Sequence, residues 1–306
     1  MIPTLLQFAD AFPTLFGIFV FAMGASIGSF LNVVILRLPL GLSIVKPGSH
    51  CSCGRPIAWY DNIPIVSWFL LRGRARCCGS RFSFRYPIVE ALTAGLFLAC
   101  WRLLPPGPAV CGWVFMSGLV AATFIDADHL VIPDAFSLGL GVAGVLLAFA
   151  APDLHGQHSG FFALDSLRSG CAALIGLLVG SGLVFWIAML AGAVLRKEAM
   201  GIGDVKFVGA IGAFCGWHGA VFSIFGGAAV GTLGLALVLA WRKLAGICAS
   251  PESAEAQPAP ILGAHLPFGP MLAVAGALYF LLLHRWVDPW FAQSVALFYP
   301  GFPRLA

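Results

Sequence analysis

The chain has 306 residues, of which 60% are hydrophobic and only 10% charged, and its mean hydropathy is +0.95. A soluble globular domain carries about 25% charged residues, so this composition excludes a water-soluble fold and makes the bilayer the solvent. The formal net charge of +4 is too small for a nucleic-acid binder, and no nucleic-acid partner is expected.

A spanning helix needs roughly 20 mostly apolar residues. On that ruler the chain reads as an all-α polytopic membrane protein with about eight transmembrane helices. In chain order the candidate spans are 13–36, 87–104, 109–125, 135–151, 171–195, 207–217, 218–241 and 268–284. No Lys or Arg precedes Arg37, so the first span does not read as a cleavable signal peptide. Between the first two spans lies an insert, 38–86, rich in Cys, Arg, Gly and aromatic residues. Around it Arg37, Lys46, Arg55, Arg72, Arg74, Arg76, Arg81 and Arg85 face only Asp61 and Glu90. Positive loops stay in the cytoplasm, which puts the insert inside and the N-terminus outside.

Threading onward places Arg196, Lys197 and Lys206 inside, and then Arg242 and Lys243. The segment 207–217 is short for a span, but without that crossing Arg242 and Lys243 would fall outside. Frequent glycine within the spans predicts close helix packing. Residues 247–265 read as a flexible inside loop of Pro, Ala and small polar residues. The end of the chain, with Trp290, Phe298 and Tyr299, suits the outer interface. The resulting division is 1–37, a first transmembrane helix; 38–86, the insert; 87–286, a seven-helix membrane domain; and 287–306, a periplasmic tail.

Acids are scarce enough to audit. Asp10, Asp153, Asp165 and Asp288 fall in outside segments, and Glu252 and Glu255 in the flexible loop; all six read as solvated. On the inner side stand Asp126, Asp128 and Asp134 in "FIDADHLVIPDAF", and Glu198 and Asp204 in "RKEAMGIGDVKF". Ionisable groups at membrane depth are costly and default to function. Asp126 ends the third span and Asp204 opens the sixth, so two carboxylates from different helices meet one membrane face. Such a pair shares a proton, and can activate water while protonating a carbonyl oxygen, the chemistry of aspartic peptide hydrolysis.

Positions two apart on a helix point nearly opposite ways, so only one of Asp126 and Asp128 can join Asp204. Asp126, nearer the apolar run, is the expected partner; Asp128 is the alternative, or it meets water or caps local backbone. Asp134 precedes the fourth span, where an N-cap belongs. His129 reads as a solvated loop residue. Gly201 and Gly203 flank the acid without side chains, leaving room for a substrate backbone, and Lys206 stands just behind it.

Several motifs then coincide. "GIGDVK" (201–206), "DADHLVIPD" (126–134), "GSFLNVVILRLP" (28–39), "WYDNIPIVSW" (59–68), "RYPIVE" (85–90) and "PFGP" (267–270) together resemble the bacterial type IV prepilin peptidases, which also process type II secretion pseudopilins. The resemblance covers nearly the whole chain. It implies a polytopic inner-membrane aspartic protease of the GxGD kind, with Asp126 and Asp204 at the catalytic positions. It implies prepilin or pseudopilin substrates, cut after a glycine between a basic leader and an apolar helix. It further implies N-methylation of the new terminus with S-adenosylmethionine, by analogy in the insert.

Of the nine cysteines, Cys100, Cys111, Cys171, Cys215 and Cys248 stand singly and read as small apolar residues. Cys51 and Cys53 in "HCSCG", and Cys77 and Cys78 in "RCCG", form two clusters that suit tetrahedral zinc in a reducing compartment. Here the chain departs from the family's two CxxC pairs: Ser52 alone separates the first pair, and Ala75 stands where the second pair would begin. Two readings from other classes compete with the peptidase. A transporter would need acids spread through the membrane depth, and a non-catalytic secretion-assembly component would need the insert but not the acids.

Overall fold

The computed structural model describes residues 2–51, 53–196, 201–244 and 267–298. The expectations for Ser52, Lys197, Glu198, Cys248, the loop 247–265 with its two glutamates, and the tail beyond 298 lie outside the described residues. Helix α1 (Ile2–Ala11) leads into α2 (Pro13–Arg37); the insert follows and contains the short α3 (Val66–Leu70). Then come α4 (Arg85–Leu103), α5 (Pro106–His129), α6 (Leu138–Ala150), α7 (Phe162–Leu195) and α8 (Ile202–Leu244). Helix α9 (Gly269–Leu278) runs through a π turn, Tyr279–Leu283, into α10 (His284–Phe298). Among the described residues there is no strand, only isolated bridges at His50–Pro56 and Arg74–Arg81. Among the described residues six helical stretches are long and apolar enough to cross a membrane, and α6 is a shorter apolar helix.

Helix α8 is two helices. At Gly216 the backbone takes φ 68° and ψ 179°, a region open essentially to glycine alone. The chain reverses there. A Cβ placed on Gly180 would meet Val208 O at 2.8 Å and Ala220 Cβ at 3.0 Å, two residues that a straight helix would hold roughly 18 Å apart. The segment 202–215 is thus a separate crossing, roughly 21 Å long, and 217–244 returns. The region read as two spans, 207–217 and 218–241, is thus two helices, although the first begins five residues earlier than expected. Similarly, α7 begins nine residues before its expected start.

The short helices are packed at the centre, and glycine makes this possible. A Cβ on Gly176 would lie 2.1 Å from Gly212 O, and one on Gly212 would lie 2.1 Å from Gly176 O. The backbones of α7 and α8 touch directly. Between α5, α8 and the π turn, Phe115 stacks on Phe214 with ring centroids 4.7 Å apart and meets Phe280 at 5.2 Å.

Two polar residues differ from expectation. Asp165, read as solvated, is 6% exposed in the first turn of α7, where its carboxylate accepts the Ser159 N–H at 2.9 Å and the Ser159 hydroxyl at 2.5 Å. It closes the loop before the helix, an N-terminal role that favours a negative charge. Asp288 is held by the Tyr279 hydroxyl instead of meeting only water. Neither partner could be foreseen from spacing on one helix, because each depends on a loop or a π turn.

Because the α7–α8 contact leaves no space for a methyl group, Gly212→Ala should destabilise the protein by about 1–3 kcal/mol, read as a lower unfolding temperature in detergent.

Candidate active site

Helix α5 ends because Leu130 adopts a left-handed conformation (φ 55°, ψ 33°), its N–H bonding back to Asp126 O at 2.9 Å. This conformation caps helices well but is costly for a side-chain-bearing residue. The stop turns the chain into the 131–137 segment, where Ile132 is buried. Ile132 fills the space between the other two parts of the site: a Cβ on Gly203 would lie 3.5 Å from Ile132 Cβ, and one on Gly269 would lie 3.1 Å from Ile132 Cδ1.

Asp126 is 6% exposed in the last turn of α5. Its Oδ2 accepts the Gly269 N–H at 3.0 Å. A Cβ at position 269 would lie 2.6 Å from the same oxygen, so only glycine lets the start of α9 come this close. Asp204, half-buried, sits in the first turn of α8, next to Gly203, and Ile132 packs against both the Gly203 position and the Gly269 position that holds Asp126. Two acids from different helices converge at one end of the bundle.

Asp128 points elsewhere. It is exposed and paired with Arg85 at the start of α4; Arg85 also donates to Phe124 O at 3.1 Å and lies over the Phe124 ring, 5.0 Å from its centre. Asp126 and Asp128 thus lie on different sides of α5, as helical geometry requires. Lys206 Nζ reaches Asp134 Oδ1 at 2.6 Å. This corrects the capping expectation: α6 starts at Leu138 after Ser137, with no side-chain cap, and Asp134 instead ties the 131–137 segment to α8. Gly201 is exposed, and among the described residues nothing lies closer than 3.8 Å to a Cβ built on it. His129 is exposed, as expected.

In the insert, Cys51, Cys53, Cys77 and Cys78 bring their sulfurs within 4.8 Å of one another. Sγ of Cys51 lies 3.4 Å from that of Cys78, and Cys53 Sγ lies 3.4 Å from that of Cys77. The turns make up for the irregular spacing: Gly54 N–H bonds to Cys51 O and Gly79 N–H to Ala75 O, each at 2.8 Å. The Ser80 hydroxyl, which the sequence did not single out, lies 3.4 Å from Cys51 Sγ and 3.2 Å from Cys78 Sγ. Its hydrogen bonds hold the Cys51 thiol down at about 5, while the neighbouring sulfurs push Cys77 up to about 12. Cys100, Cys111 and Cys215 are buried as expected; Cys171 is exposed.

Sequence reading also missed Glu90. It was counted with the charges of the insert, yet it is 7% exposed on α4 and accepts the Ile65 N–H at 2.6 Å. Its signal was its place inside the apolar stretch that follows "RYP".

The chain matches the Bacterial Peptidase A24 N-terminal domain over residues 22–103 and the Type IV leader peptidase family over residues 113–240. It is 33% identical to a prepilin leader peptidase/N-methyltransferase of Myxococcus xanthus, across 95% of this chain and 97% of that protein. The chain belongs to the type IV leader peptidase family. An Aeromonas hydrophila relative of the same name is 35% identical over 89% of this chain and 92% of its own length. A type 4 prepilin-like proteins leader peptide-processing enzyme of Escherichia coli is 38% identical over 63% of this chain and 74% of its own. No solved structure matches.

The two ion pairs differ in exposure, with side chains 29% and 35% exposed for Arg85–Asp128 and 38% and 69% for Lys206–Asp134. Double-mutant cycles on unfolding should give a coupling of about 1 kcal/mol for the first and about 0.3 kcal/mol for the second.

Proposed function

We propose that this chain is a bacterial inner-membrane enzyme that removes the leader from type IV prepilins or type II secretion pseudopilins and then N-methylates the new N-terminal residue. The observation that carries the peptidase reading is that Asp126 and Asp204, from two helices, stand on either side of Ile132 at one end of the bundle. The family membership and the names of its relatives support the same activity pair.

The pair works with one proton between two carboxylates. The ionised member takes a proton from a water held between them, and the protonated member donates to the carbonyl oxygen of the scissile peptide. On collapse of the tetrahedral adduct a proton passes to the leaving amine, and the pair returns to its starting state. Gly269 fixes Asp126 through its N–H, and the open flank at Gly201 admits the peptide. Orientation follows the charge bias: with the insert, Lys206 and the acid pair at one end, that end faces the cytoplasm and both termini face the periplasm. A basic leader would then reach the acids without crossing the bilayer.

The four insert cysteines fit a zinc ion. Tetrahedral Zn–S bonds of about 2.3 Å put sulfurs about 3.8 Å apart, close to the separations in the cluster. Bound there, zinc supplies structural cross-linking of the two Cys turns, and Ser80 supports the thiolate form of Cys51 and Cys78. S-adenosylmethionine is the methyl donor that the relatives' N-methyltransferase name implies.

Asp126→Asn and Asp204→Asn should each lower leader cleavage of a co-expressed prepilin by at least about a hundredfold, whereas Asp128→Asn, which loses only the Arg85 contact, should cost less than about tenfold. Normal processing by both Asn variants would end the peptidase reading. Gly269→Ala should also lower cleavage by about a hundredfold, because its methyl displaces the Asp126 carboxylate. Purified protein should carry about one zinc per chain by elemental analysis, lost in Cys51→Ser.

A further inference from the structure

A cavity of about 510 Å³ lies where the insert meets α2 and α4, away from the acid pair. Its volume falls in the range of about 300–1,000 Å³ that small-molecule sites occupy. Asn32 and Arg37 line it from α2, Asp61 and Trp68 from the insert, and Tyr86 and Glu90 from α4. The walls are tied together. Asn32 Nδ2 donates to Tyr86 O at 3.1 Å, and Arg76 donates to both Asp61 oxygens, at 2.8 and 3.1 Å. Against Glu90 the helices touch: a Cβ on Gly28 would lie 2.7 Å from Glu90 Cα.

One wall is strained. Ile65 has φ 64° and ψ −55°, and the Val66 N–H bonds to Pro64 O at 2.6 Å. This is the rare γ-turn of positive φ, costly for a β-branched residue. The turn aims the Ile65 N–H at the Glu90 carboxylate, 2.6 Å away. Strain of this kind persists where the surroundings over-determine it, commonly at ligand sites.

We infer that this cavity binds the methyl donor, a sulfonium nucleoside carrying an amino-acid group. The inference rests on the N-methyltransferase half of the proposed function and names the residues that serve it. The chemistry of the wall matches the ligand part by part. Trp68 and Tyr86 offer aromatic faces to the purine, Glu90 a carboxylate to the cationic sulfonium end, and Arg37 a guanidinium to the ligand's carboxylate. The cavity wall is linked to the end of α5 through one ion pair. Tyr86 on its wall is adjacent to Arg85, which pairs with Asp128, two residues beyond Asp126.

The test uses the full-length enzyme in detergent with S-adenosylmethionine and S-adenosylhomocysteine as probes. Ultraviolet cross-linking of radiolabelled S-adenosylmethionine should label peptides from 26–37, 57–71 or 82–90, and excess S-adenosylhomocysteine should compete the label away. Calorimetry should show S-adenosylhomocysteine binding at least about tenfold more weakly to Glu90→Gln than to wild type. The cavity-filling Val33→Trp should weaken it by a similar factor. Label confined to other segments, or unchanged binding in both variants, would overturn the inference while leaving the methyltransferase reading intact if wild type still methylates a co-expressed pilin by mass spectrometry. Absence of both binding and methylation in wild type would sink the two together.

Discussion

The direct backbone contact between α7 and α8 at Gly176 and Gly212 governs the rest of the structure. A short crossing helix cannot reach both faces of a bilayer on its own, since the hydrocarbon core is about 30 Å thick. It is tolerable only when enclosed by protein. Glycine on both facing surfaces lets α7 come close enough to enclose the 202–215 segment, and Gly216 reverses the chain so that a second helix covers it. Asp204 then opens a helix that lies inside the bundle instead of at its lipid-facing edge.

The same logic of missing side chains recurs at the acids. Gly269 brings the start of α9 against Asp126, and Gly203 leaves space for Ile132 beside Asp204. Three separate chain segments meet at Ile132, and the charged side chains around them are engaged with one another: Asp128 with Arg85, Asp134 with Lys206. These pairs tie the acid-bearing helix ends to their neighbours from outside, while Asp126 is held separately by the Gly269 N–H. The ion pairs are exposed enough that their worth is positional more than energetic.

The insert is a second centre, organised by different chemistry. Four thiols and Ser80 set one end of it, and the γ-turn at Ile65 sets the other, over Glu90. Between those ends the Arg76–Asp61 pair, with Arg76 lying over Tyr60, joins the "RCCG" stretch to the "WYDNIP" stretch. The cysteine cluster and the cavity wall are thus joined by a direct contact between the two stretches.

Hydropathy and charge act locally along the chain, so the membrane solvent and the approximate apolar helices were legible in the sequence. The return at 207–217 was legible only through charge parity, and the choice of Asp126 over Asp128 through helical period. What tertiary structure alone decided were the partners. Asp134 binds Lys206 across 72 positions, Asp165 is buried beneath Ser159, and the irregular cysteine spacing closes into one cluster through turns at Gly54 and Gly79. Glu90 changed from an insert charge to a buried carboxylate because α2 and α4 pack backbone to backbone. Contacts between distant segments depend on how helices approach one another, and that approach is set by the sum of many packing choices that no single motif contains.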